Sequence, residues 1–316
     1  MLELNKSKNN SGNKIYKKSK NNRMKESFTD QVFLIFIYIM LSLVLVIILY
    51  PLIYVVSASF SNPQAVISGK VWLLPVEPTL RGYQAVFKNH QLLSGFTNSF
   101  IYMIFGTLLN LVMTMLCAYP LAKKDLVGRN IITGLFVLTM YFSGGLVPSY
   151  MLIQKLGLLN TRGAMIIPTA LSVWNVIIAR TYLQNNIPDS LFEAAEMDGC
   201  TPIIFFIRIV LPLSAPILAV LTLYYGVGHW NTYFNAMIYL KDQKLFPLQL
   251  ILRNILIMNQ VDPTMVQDAT VMQQKQGLID LLKYAVIVVA SVPVLAIYPF
   301  VQKHFVKGIM IGALKG

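Results

Sequence analysis

Residues 32–56 run for 25 positions without a charged side chain, and this run constrains the chain more than any other feature. As a helix rising 1.5 Å per residue, it is long enough to cross a hydrocarbon layer of about 30 Å. It is too long for a signal-peptide core of roughly 7 to 15 residues, so it reads as an uncleaved first span. Backbone amides in lipid must bond within the protein, which leaves helices and closed barrels. Five further apolar segments follow, at 96–122, 130–153, 164–184, 214–240 and 278–302. Composition agrees: 56% of the 316 residues are hydrophobic and 12% charged, against about 25% charged in soluble domains. The reading is an all-α integral membrane protein with six transmembrane helices and no room for a soluble enzyme domain.

Breakers and charges refine this outline. Gly144, Gly145 and Pro148 interrupt the third span and predict unwinding or a kink. Pro293 and Pro299 kink the sixth. With six spans and both termini on one side, 15 Lys and Arg fall on that side and 9 on the other, in longer loops. Positive charge marks the inner side, so the chain reads as a multi-pass cell-membrane protein with cytoplasmic N- and C-termini. Three regions result: a basic, disordered tail at 1–31, a transmembrane domain at 32–302, and a C-terminal tail at 303–316. The net charge of +13 sits largely in the tails and short loops and does not indicate nucleic acid. The N-terminal tail can attract anionic lipid or act only as a solvated topogenic segment.

Several chemistries are missing. There is no phosphate-binding Gly-x-x-x-x-Gly-Lys-Ser/Thr loop and no His-Glu-x-x-His. Cys117 and Cys200 lack metal-ligand spacing and imply no disulfide. Span centres hold almost no acids, which mark proton and ion relays. Asp280 and Lys283 stand near the start of the sixth span, close enough to pair, and Arg180 can snorkel from the end of the fourth. Neither a proton-driven carrier nor a membrane-embedded enzyme is favoured, so the driving energy must come from outside the chain.

Residues 189–212 supply a place for it. Ser190 and Glu193 have capping-box spacing. Glu193, Ala194, Ala195, Glu196 and Met197 favour helix, and Gly199 suits a left-handed stop after Asp198. Thr201 and Pro202 restart a helix, and Pro212 ends it. The product is a helical knob between two spans. The series Glu193-Ala194-Ala195, three residues, Gly199, nine residues, Ile209, one residue, Leu211-Pro212 resembles the coupling-loop (EAA) motif of ABC importer permeases without departure. From about residue 32 to the end, the chain resembles the carbohydrate importers of the maltose-permease class. It looks most similar to the branch associated with complex oligosaccharides and polysaccharide fragments.

The resemblance implies a type I ABC importer permease fold with a cytoplasmic coupling hairpin. It implies an ATP-driven importer in which Glu193, Ala194, Ala195, Asp198, Gly199, Leu211 and Pro212 couple to an ATPase. It also implies a second homologous permease, two ATPase subunits, an extracytoplasmic sugar-binding protein and an oligosaccharide substrate. The chain itself needs no cofactor; ATP and Mg belong to the ATPase. The alternative is a stand-alone secondary carrier or lipid transporter, for which a docking knob has no use.

A second cluster lies in the fifth span: Tyr224, Tyr225, His229, Trp230, Asn231, Tyr233 and Asn235. Aromatic rings stack on sugars and amides bind hydroxyls, so Tyr225, His229, Trp230 and Asn231, with Asn175 of the fourth span, form the candidate substrate path. Helix packing by His229 and an aromatic belt at the membrane interface are the plainer readings.

Overall fold

A computed structural model of the chain describes residues 28–258, 281–297 and 299. Residues 1–27, most of the second long loop, Asp280 and the C-terminal tail lie outside the described residues. The described secondary structure is helical. The main helices are α1 (Phe28–Ser59), α2 (His90–Ala122), α3 (Arg129–Tyr141), α4 (Leu146–Lys155) and α5 (Val173–Asn186), followed by α6 (Asp189–Met197), α7 (Pro202–Leu213) and α8 (Ala215–Trp230). The last three are α9 (Phe234–Tyr239), α10 (Leu248–Met258) and α11 (Leu281–Ile297).

The chain divides into two units, residues 1–51 and 52–316. In the first, α1 starts at Phe28, four residues before the expected span, and presents exposed apolar side chains such as Phe33, Ile39 and Leu45. The second unit contains everything else. Its first turn of packing uses the end of α1: Ser57 Oγ donates to Leu73 O (2.6 Å), and Ser59 Oγ pairs with Tyr83 Oη (2.7 Å).

Helix α2 is the axis of the second unit, and its pattern is inverted relative to a soluble helix. Gly95, Asn98, Ser99, Tyr102, Gly106, Asn110, Thr114 and Ala118 recur at three- and four-residue spacing and are buried. Ile104, Phe105, Leu108, Val112 and Leu116 are exposed. In lipid the greasy face needs no cover, while small and polar residues permit close packing and cross-helix bonds. Helices α8 and α5 pack on this stripe, and α10 packs on its N-terminal part. There Asn98 Nδ2 donates to Lys244 O (2.7 Å) and Phe246 O (3.1 Å), and Leu248 N donates to Ser99 Oγ (2.9 Å).

By length and composition, α1 and α2 can each cross a membrane. Two bent pairs also qualify: α3 with α4, at 110°, and α7 with α8, at 77°. The first bend falls at the expected Gly-Gly break, where Gly145 takes φ +84°. The expected fourth and fifth spans are both interrupted. A short helix at Gly163–Ile166 and residues 167–172 precede α5, and residues 231–233 separate α8 from α9.

Candidate functional site

Residues 189–213 form the knob, and backbone chemistry explains its shape. Pro188 is the N-cap of α6, so Ser190 lies inside the helix and the expected capping box does not form. Asp189 takes the first position instead and pairs with Lys124 Nζ at 2.8 Å. A carboxylate in the first turn also suits the helix dipole. At the other end Gly199 takes φ +76°. Cys200 N donates to Ala195 O and Gly199 N to Glu196 O, both at 2.9 Å, which is the bond pair of a Schellman stop. Thr201 Oγ1 then accepts from Ile204 N and Pro202 opens α7. Helix α7 runs through Pro212 to Leu213, one residue beyond the expected end. Proline lacks an amide donor; the preceding turn, Phe206–Val210, widens to a π-helix. The corner comes at buried Ser214, whose Oγ donates to Val210 O (2.7 Å).

The knob's base is tied down. Phe192 and Phe205 meet edge to face at 5.2 Å, and Tyr119 of α2 stacks obliquely on Phe206 at 5.0 Å. The Lys123 ammonium sits over the Phe192 ring, with Tyr119 and Phe205 at 5.4 and 6.0 Å. Burial pushes the Lys123 pKa below its ordinary value, and the carboxylates of Asp125, Glu196 and Asp189 oppose that shift. The bond to Asp189 raises that of Lys124. The α2 C-terminus is fixed as well. Arg180 Nε donates to Leu121 O (2.9 Å), Gln184 Nε2 to Ala122 O (3.4 Å) and Arg129 Nη1 to Lys123 O (3.3 Å). A cavity of about 360 Å³ remains at the base, lined by Lys123, Lys124, Arg129 and Asp189 among others.

The knob's tip faces outward. Glu193, Ala194, Asp198 and Gly199 are exposed, as are the apolar Met197 (88%) and Ile203 (71%). Of the coupling residues expected from sequence, Leu211 is half-buried and Pro212 exposed, both at the corner of the knob. Sequence reading missed the clamp by Lys123 and Lys124; their signal was a short basic turn assigned only to topology.

The fifth-span cluster divides between the two sides of α8. His229 and Tyr225 are buried against α2. Asn110 Nδ2 donates to Thr169 O, so its Oδ1 accepts from His229 Nε2 at 2.7 Å and the imidazole carries its proton on Nε2. Tyr225 Oη pairs with Thr114 Oγ1 at 2.7 Å and accepts from Ser172 N. Trp230 is 1% exposed, donates from Nε1 to Ala290 O (3.1 Å) and meets Phe100 at 5.1 Å. Asn175 is buried, whereas Asn231, Tyr224 and Tyr233 are exposed. Trp230→Ala should therefore lower the yield of assembled protein, since emptying such a site costs about 3–5 kcal/mol. Size-exclusion yield and thermal unfolding in detergent check this; a normal yield would remove the ring from the packing.

No family model matches the chain. It is 39% identical over 290 residues to the polygalacturonan/rhamnogalacturonan transport system permease protein YtcP of Bacillus subtilis (strain 168), covering 91% of this chain and 99% of that protein. Protein LplC of the same organism is 39% identical over 270 residues, covering 84% and 89%. Among solved structures, a chain of a bacterial ABC transporter involved in the import of the acidic polysaccharide alginate superimposes with a TM-score of 0.82. Its sequence is 32% identical, and the match covers 89% of this chain and 99% of that one.

Proposed function

The chain belongs to the permease subunits of ABC transporters that import carbohydrates, and from that premise we propose how it works within such an importer. It spans the cell membrane six times, with both termini and the knob in the cytoplasm, and forms half of a translocation path for oligosaccharides or polysaccharide fragments. A second, homologous permease forms the other half. Two ATPase subunits bind ATP and Mg, and an extracytoplasmic sugar-binding protein delivers the substrate. Family membership sets aside the stand-alone carrier.

The observation that carries the coupling proposal is the contrast between the knob's base and its tip. The base is locked to α2 by the Lys124–Asp189 pair and the Lys123–Phe192 contact. The tip exposes Glu193, Ala194, Asp198, Gly199, Met197 and Ile203. An isolated soluble surface has little reason to expose Met197 and Ile203 together; a docking partner that covers them does. Force applied at the tip passes through the tied base into α2 and, at the Leu211–Pro212 corner, into α8. Helix α2 spans about 35 Å between the knob and its contacts with α10, so the ATPase side reaches the far end of the path through one rigid element. Along that path Asn231 faces the exposed side of α8. Tyr225, His229, Trp230 and Asn175 stand behind it and set the shape of the wall.

Purification of the tagged chain from its native membrane in mild detergent tests the assembly. An ATP-hydrolysing subunit and a second permease should co-purify in stoichiometric amounts; their absence under conditions that keep the chain folded would sink the proposal. Labelling of Cys200 with a membrane-impermeant thiol reagent tests the orientation in the isolated permease. The thiol should react from the cytoplasmic side only.

A further inference from the structure

We propose that the groove between Tyr233 and one face of α10 is a subsite for a carboxylate-bearing sugar, a uronate, with Arg253 reading the carboxylate. The proposal rests on the importer reading above and names the substrate class for it. It starts from the two faces of α10. Leu248, Ile251 and Ile255 belong to the core that also holds Trp230, and Leu252 packs at its border. Gln249, Leu252, Arg253 and Leu256 lie at positions i, i+3, i+4 and i+7, which places them along one other face. Together with Tyr233 they line a groove of about 310 Å³. That volume is at the lower end of the range for small-ligand pockets, roughly 300–1,000 Å³.

The lining has the parts that an acidic sugar requires. Tyr233 lies in the break between α8 and α9 and is 43% exposed, and an exposed tyrosine ring can cover the C–H face of a sugar ring. Leu252 and Leu256 extend that apolar surface. Gln249, half-buried one turn before Arg253, supplies an amide for ring hydroxyls. Arg253 is itself half-buried, and among the described residues no carboxylate forms an ion pair with it. A guanidinium at the wall of a groove attracts an incoming anion, and its planar fork fits a carboxylate by two parallel bonds. Gln249 and Leu252 also border a second, largely aliphatic groove of about 540 Å³ that continues past Asn231 and Trp230 between side chains such as Val55, Ile287 and Leu295.

The position also suits substrate entry. Helix α10 is bonded to α2 at Ser99, the end of α2 remote from the knob. Polygalacturonan and alginate, named for a relative and for a structural neighbour, are polymers of sugars that each carry a carboxylate. A neutral sugar would leave the Arg253 charge unmatched, which is a basis for discrimination as well as affinity.

The test uses the complete transporter in proteoliposomes, with trigalacturonate and its carboxyl-reduced neutral counterpart as probes. Wild-type protein should take up the acid. R253Q should lower uptake of the acid about tenfold or more, the scale of a lost charge-assisted bond pair, and shrink the preference for the acid over the neutral probe by a similar factor. R253K, which keeps the charge but not the fork, should recover part of the loss. Equal loss for both probes in R253Q and R253K, or no loss for either, overturns the proposal. If the wild type imports the neutral probe but not the acid, the proposal falls and the importer reading stands. Import of neither probe also overturns the proposal, whereas the importer reading falls only if no ATP-hydrolysing subunit co-purifies with the chain.

Discussion

Gly106→Val is expected to remove most of the assembled protein from the membrane. Gly106 lies on the buried stripe of α2 where α8 crosses it, and a Cβ built there would overlap the His229 imidazole. The ring has little freedom to retreat. It is buried, and its Nε2 is bonded to Asn110, whose amide is bonded in turn to Thr169 O. Overpacking a tight contact costs about 1–3 kcal/mol. Pushing the ring away also breaks a buried bond, at roughly another 1–3 kcal/mol. Together these approach the whole stability of a marginal fold. Gly134 of α3 is the control, because nothing lies within 4 Å of a Cβ built there. Gly134→Val should accumulate to near-normal levels. Equal yields of the two variants would mean that α2 and α8 do not approach this closely in the membrane.

Gly199→Leu should have a different outcome: normal assembly, with transport lost. A Cβ at Gly199 meets nothing, so the effect acts through the backbone alone. At φ +76° a branched L-residue costs roughly 1–2 kcal/mol. The chain can relieve that strain by opening the Schellman bonds from Gly199 and Cys200 to Glu196 and Ala195. The knob would then lose its fixed tip while its clamped base held. ATP hydrolysis should continue without sugar uptake. Gly199→Asn separates turn geometry from side-chain bulk, because asparagine tolerates the left-handed region. It should retain most transport. If leucine and asparagine transport alike, the turn is not part of coupling.

The knob was largely legible because its determinants are local. Gly199 and Thr201–Pro202 act on backbone within a few residues, and the structure places a helix stop and a restart there. The break at Gly144–Gly145 was legible for the same reason. The start of α6 was not. Ser190 had the right spacing for a cap, but Lys124, 65 positions away, holds Asp189 and the chain enters the helix from Pro188.

The fifth-span cluster shows the same limit. Sequence alone determined that this is a membrane-embedded helical chain with a knob between two apolar segments, because run length, proline, glycine and charge act locally or by simple counting. It also determined that Tyr225, His229, Trp230, Asn231 and Tyr233 lie near one another along the chain. Only the tertiary structure decided which of them turn inward. A soluble helix declares its buried face by being apolar there, but in lipid both faces are apolar and that signal fades. The direction of α8 was set by Gly106, Asn110 and Thr114 on α2, more than a hundred residues earlier. The groove at Arg253 is non-local in the same way. Its tyrosine lies in the break after α8 and its arginine on α10, and they line one space because α10 packs against the far end of α2.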